Sequence, residues 1–337
     1  MKAKNKSVFS GMVVCALIFL MVSMASAATR DDLWNRYHQA FKGKKLVFIT
    51  AAMMFEAIQA WEFTVRNEVK ALGMEYELVD ANMNPALLQQ GLRAQIKKHP
   101  DVIVLHNLSH QQLGRDIEEA EKKGIHVLQV SLPSTYVSDV YCGQDFETLG
   151  REMAEEIVKV AGKGSGTSGK VIILPGSMSS YDTLVYERIK NEVFAKHPEI
   201  KVVLDQATDW QQSKGRELTA MALQQHPDLA AVWGYISLST VGAGQAIREA
   251  GLLGKVKVIT TGPGEKVTWD ALESGLIDKC WVFNGVSIGR DLVNAVKMIL
   301  QDGRKAGVKQ FALFSNIVPL TKANFKNRKD LFYEVPK

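Results

Sequence analysis

His106 and His110 stand four residues apart, the spacing that lets two imidazoles on one helix face share a metal ion. No third ligand accompanies them, and His106 falls at the end of an apolar run that reads as a strand, so a pocket hydrogen bond suits it better than a metal. The segment Gly164-Ser-Gly-Thr-Ser-Gly169-Lys170 comes close to a phosphate-cradling loop, but Val171 stands where a hydroxyl should hold magnesium. A helix precedes this segment and a strand follows, the reverse of what a phosphate on a helix N-terminus requires, so it reads as a surface turn. Gly262-Pro-Gly264 opens a helix after a strand; it either admits a ligand to backbone N–H groups or is an ordinary strand-to-helix loop. Ser131 and Ser177 lack a nucleophile elbow. With no acid–base, metal or nucleophile constellation, catalysis is not expected and no cofactor is called for.

The N-terminal segment carries the pattern of an export signal. Lys2, Lys4 and Lys6 form a basic start, an apolar stretch runs from Val8 to about Met24, and Ala25-Ser26-Ala27 supplies a small-residue cleavage pattern. A signal peptide over residues 1–27 and a periplasmic mature chain are expected. Removing that segment takes three lysines with it and lowers the formal charge from +5 to +2. A nucleic-acid or membrane-surface role thereby loses its global support. In an oxidising compartment Cys142 and Cys280 have two readings, a disulfide or two buried small hydrophobes, of which the second is favoured.

Parallel strands covered on both faces read as continuous apolar runs. Such runs occur at Lys45–Thr50, Tyr76–Asp80, Val102–Leu105, Val127–Val130, Val171–Leu174, Val202–Leu204, Ala230–Trp233 and Val256–Ile259. Amphipathic stretches lie between them: Trp61, Val65 and Leu72 share one helical face, and Met153, Ile157 and Val160 another. Leu72-Gly73, Lys123-Gly124 and Gly251-Leu252 each close a helix just before a strand. Trp61, Trp233 and Trp269 read as packing residues. The alternation predicts doubly wound parallel-sheet α/β lobes, with a break near Cys142–Asp145 and a C-terminal return through Phe311–Pro319 into a short helix at Thr321–Phe325.

The order and spacing of Lys45-Leu-Val-Phe-Ile-Thr, Val69-Lys-Ala-Leu-Gly-Met, Asp101-Val-Ile-Val-Leu-His-Asn and Gly124-Ile-His-Val-Leu-Gln-Val are family-like. With Gln225-His-Pro-Asp-Leu-Ala-Ala-Val-Trp and Lys257-Val-Ile-Thr-Thr-Gly, they make the chain resemble periplasmic sugar-binding proteins of the ribose-binding, LacI-like type. The resemblance runs along essentially the whole mature chain. It implies a type I periplasmic binding protein fold: two lobes joined by three hinge crossings, with a small ligand clamped between them. The lobes implied are 44–142 with about 284–316, and 143–283 with about 317–337. Cys142 and Cys280 would then both lie near crossings, which leaves a Cys142–Cys280 disulfide open.

Sugar-binding members of that family place Asp, Asn and Arg at the strand ends, where bidentate groups match paired hydroxyls. In this chain the corresponding positions carry Ser131 and Leu132 after the fourth strand, Val185 for an arginine, Tyr235 for an asparagine, Gly262 for an aspartate and Phe283 for a hinge glutamine. His106 replaces another asparagine, Trp210 retains an aromatic stacking position, and Met53, Met54 and Phe55 follow the first strand. The ligand-binding set implied is Phe55, His106, Ser131, Leu132, Tyr181, Trp210, Tyr235, Gly262 and Phe283. It describes a cleft with little charge and a flat or partly apolar ligand; a shifted register would instead supply polar contacts from Asp182, Arg188 and Glu265.

The expected function is delivery of a small molecule to the permease of an ABC importer by a monomeric binding protein. Sensing for a membrane histidine kinase or chemoreceptor uses the same fold and cleft.

Overall fold

The computed structural model describes residues 32–335; the expected signal segment lies outside them. Helix α1 (32–41) leads into β1 (Lys45–Thr50), α2 (Glu56–Ala71), β2 (Glu75–Asp80), α3 (Pro85–Lys98), β3 (Val102–Leu105), α4 (Gly114–Lys122), β4 (His126–Val130) and β5 (Val140–Gly143). The next stretch holds α5 (Phe146–Ala161), β6 (Lys170–Leu174), α6 (Tyr181–Phe194), β7 (Lys201–Asp205), α7 (Gln212–Gln225) and β8 (Ala231–Gly234). It continues with α8 (Ser237–Glu249), β9 (Lys257–Pro263), α9 (Lys266–Ser274) and β10 (Lys279–Phe283). Helix α10 (Gly285–Asp302), β11 (Phe311–Phe314), β12 (Ile317–Thr321) and two short 3-10 turns close the chain.

Two six-stranded sheets result, with strand orders β11-β5-β4-β3-β1-β2 and β12-β10-β9-β8-β6-β7. Every pairing is parallel except β10 with β12. The apolar runs that predict strands are covered on both faces in β3 and β8, all of whose residues are buried. They are half-covered in the edge strands β2 and β7, whose charged residues face outward. The glycines expected to end helices do so: Gly73, Gly124 and Gly251 take φ of 80°, 85° and 70°, a region costly for side-chain-bearing residues.

The chain passes between lobes three times. It leaves the first sheet between β5 and α5, re-enters between β10 and α10, and leaves again between β11 and β12. In α10, Ile288, Leu292 and Val296 pack into the first lobe's core beside α2, although β10 belongs to the second sheet. Asn284 caps α10 at that passage, its side chain accepting from the Ser287 N–H at 3.0 Å.

Three expectations change. Phe311–Pro319 is not one strand: Ser315 and Asn316 divide it, and the halves join different sheets. The helix expected at Thr321–Phe325 is a turn followed by a 3-10 segment at Phe325–Asn327. The first lobe begins before residue 44, because Phe41 of α1 is buried in its core. Of the two readings of the cysteines the favoured one holds: Cys142 and Cys280 are free thiols in different hydrophobic clusters, one per lobe, and not a disulfide. Burial pushes both thiols up, the behaviour of small core hydrophobes.

Candidate functional site

Parallel strands point their carboxyl ends, and the loops that follow, toward one side of a sheet. Here both sheets point those ends at a shared cavity of about 360 Å³ between the lobes. Loops after β1, β3, β4 and β5 form one wall; loops after β6, β7, β8, β9 and β10 form the other. At the rim the lobes touch directly. The His110 N–H donates to the Ser179 carbonyl at 2.9 Å, and the His110 ring packs on Tyr181 with centroids 4.9 Å apart.

Phe55, His106, Ser131, Leu132, Trp210, Tyr235 and Phe283 all line the cavity. Phe55 is the residue before α2, and its carbonyl accepts from the N–H groups of Ile58 and Gln59 at 3.1 and 3.0 Å. His106 follows β3, its Nδ1 3.4 Å from Thr50 Oγ1 and its ring edge-on to Trp61 with centroids 5.4 Å apart. Burial holds its imidazole down to about 4, so it is neutral at pH 7. Ser131 takes a left-handed φ of 62°, and its hydroxyl donates to Gln144 Oε1 at 3.0 Å. Tyr235 donates its hydroxyl to Glu187 at 2.7 Å.

Trp210 ends a turn clipped onto the loop after β6. Thr208 Oγ1 donates to the Pro175 carbonyl and the Asp209 N–H to the Gly176 carbonyl, each at 2.8 Å. The indole lies where a side chain at position 176 would stand, since a Cβ on Gly176 would meet Trp210 Nε1 at 2.3 Å. Phe283 ends β10 at the second passage between lobes, its carbonyl accepting from the Gly264 N–H at 2.8 Å.

Two residues of the implied set do not line the cavity. Gly262 is not in a loop, because β9 continues through Pro263 in register with β10. Side chains alternate along a strand, so Thr261 and Pro263 face the cavity while a Cβ on Gly262 would meet Ser237 Oγ at 2.1 Å. Tyr181 opens α6 with its ring on His110 and Phe146, which assigns it to the contact between lobes at the rim.

The cleft is not short of charge in the way the sequence suggests. Glu56, Asp182 and Glu265 line it, whereas Arg188 lies outside and pairs with Glu147 and Glu192. Burial raises the carboxyls of Asp182 and Glu265, the latter to about 8 with help from Glu56. Asp182 Oδ1 is buried without a hydrogen-bond partner. Among the described residues no arginine or lysine lines the cavity.

Sequence reasoning also missed Trp61, read as core, and Gln144 and Phe146. Trp61 is buried and lines the cavity at once. The signal for Phe146 was present: Asp145 caps α5 by accepting from the Thr148 N–H at 3.2 Å, and the first turn of a helix after a strand end borders the ligand crevice.

A family model described as a periplasmic binding protein domain matches residues 48–305. The D-allose-binding periplasmic protein of Escherichia coli strain K12 is 24% identical over 274 residues, covering 77% of this chain and 81% of that one. The ribose import binding protein RbsB of Bacillus subtilis strain 168 is 25% identical over 188 residues, covering 56% and 60%. A carbohydrate transporter solute-binding protein from Agrobacterium radiobacter, solved with D-arabinose, superposes with a TM-score of 0.75 at 21% identity, covering 86% of this chain and 99% of that one. An ABC transporter solute-binding protein from Burkholderia graminis C4D1M, also with D-arabinose, gives 0.74 at 22% identity, covering 84% and 97%. At these identities the solved structures establish the shared fold.

Proposed function

Because the chain belongs to the periplasmic binding protein family, we propose that it is a solute-binding protein of the periplasm that clamps one small organic ligand between its lobes and delivers it to an ABC importer. The observation that carries this reading is the cavity itself, enclosed by the carboxyl ends of both sheets and crossed at its rim by the His110–Ser179 hydrogen bond. A ligand that touches both walls stabilises only the closed arrangement, so it shifts the population toward closure about the three passages between lobes. The closed form then presents one continuous surface to the permease. Chemistry on the ligand has no role in this cycle.

The walls favour a flat, partly apolar ligand. Phe55, Trp210 and Phe283 line them with aromatic side chains, and Leu132 and Ile236 add apolar surface. Native mass spectrometry of the protein as purified, followed by a thermal-shift screen of sugars, aromatics and amines, tests the reading. A single bound small molecule, and a rise in Tm with one ligand class, are expected. A protein that carries nothing and responds to nothing in the screen contradicts it.

A further inference from the structure

The ionisable side chains that line the cleft include three acids and no lysine or arginine, and Trp61 adds a buried Nε1–H without a partner. The three hydroxyl-bearing lining residues are committed to the protein: Ser131 donates to Gln144 at 3.0 Å, Tyr235 to Glu187 at 2.7 Å, and Thr261 to the Trp281 carbonyl at 2.7 Å. The basic side chains of α6 are also spent elsewhere, Arg188 on Glu147 and Glu192, and Lys190 on Glu187 and Asp205. What remains without a counter-charge is acidic. Asp182 is 7% exposed with Oδ1 unpartnered, and Glu265 is 6% exposed with Glu56 as its charged neighbour. A buried carboxylate is costly without a counter-charge, and among the described residues no ammonium or guanidinium lines this cavity.

Given the solute-binding reading, on which this rests, we infer that the ligand is a small organic cation, an amine or ammonium group on a compact apolar body. Its charged end lies toward Asp182 and Glu265, and its body lies against Phe55, Trp210 and Phe283. Ring faces add attraction for a cation that has shed its water, so walls and carboxylates act in the same direction. An anion is repelled. A neutral polyol brings no charge to balance the acids.

Glu265 fixes the pH response. Burial, then Glu56, lift its carboxyl to about 8. The other titratable groups beside it, Tyr333 of the C-terminal tail and Cys280 of β10, are neutral at pH 7 and supply no positive charge. A permanent cation such as choline therefore binds more tightly as pH rises from about 6 to about 9 and Glu265 loses its proton.

Calorimetric titration of the mature protein with matched pairs tests this: 2-phenylethylamine against 2-phenylethanol, and choline against 3,3-dimethylbutan-1-ol, with D-arabinose and D-allose as neutral sugars. At least one cation should bind roughly a hundredfold more tightly than its neutral partner. Asp182→Asn should weaken that cation about tenfold or more, and Glu265→Gln should flatten its pH dependence, each with an unchanged circular dichroism spectrum. If one variant fails to fold, the other carries the test. Binding of a sugar or a neutral isostere without its cation overturns the inference and leaves the solute-binding reading standing. No response to any cation overturns it as well; only a protein that also carries no small molecule when purified brings down both.

Discussion

Trp210 and Ser131 meet the ligand space on backbone that side-chain-bearing residues seldom adopt, with φ of 58° and 62°. Such strain persists where surrounding structure overdetermines it, and at both positions it does: the Thr208 and Asp209 clips fix Trp210, and the Ser131 N–H donates to the Cys142 carbonyl at 2.9 Å. Trp210→Ala should weaken ligand binding at least about tenfold while leaving Tm nearly unchanged, since the ring is only half-buried. Gly176→Ala should act on the same ring by a different route, pushing it off its position, and should lower affinity in the same titration. Equal affinities in wild type and both variants would remove the ring from the site. Residue types at strand ends were visible in the sequence, but only the family resemblance implied the seven that line the cavity. Their facing was not visible. Whether Gly262 or its neighbours look into the cleft depends on how far β9 continues, and β10 sets that from twenty residues away in the chain.

At the scale of elements, the apolar runs and helix-ending glycines made the alternation readable, while the crossing segments stayed obscure. Val140–Gly143 and Lys279–Phe283 each sit between a neighbour in sequence and a distant returning strand, β4 and β11 for the first, β9 and β12 for the second. The start of β5 is held by Glu121 at the end of α4, which accepts from the Asp139 N–H at 2.7 Å and the Tyr136 hydroxyl at 3.0 Å. Burial pushes the Glu121 carboxyl up to about 7, from an ordinary value of 4.5. Between those values the folded protein holds a proton that the unfolded chain has released, so this contribution to stability is full at low pH and is lost as pH rises toward about 7. Urea unfolding at pH 5 and at pH 7.5 should therefore show a smaller pH dependence for Glu121→Gln than for wild type; identical dependences would refute this assignment. Asp145→Ala removes the cap of α5 and should cost about 1 kcal/mol in the same assay.

For the whole molecule, one chain threads the two lobes three times, so they are not consecutive beads on a string. The alternation of strands and helices and the break near Cys142–Asp145 predicted lobes but not their interleaving, which became readable only from the resemblance. Both cysteines lie buried in separate cores, so alkylation should modify neither thiol in the folded protein and both after unfolding, without a reductant. If a ligand closes the cleft between the lobes, small-angle scattering during ligand titration will show it. The radius of gyration should fall to saturation at one ligand per chain, with the compaction lost in Trp210→Ala at the same ligand concentration. Saturating one-to-one binding with no change in the radius of gyration would contradict closure.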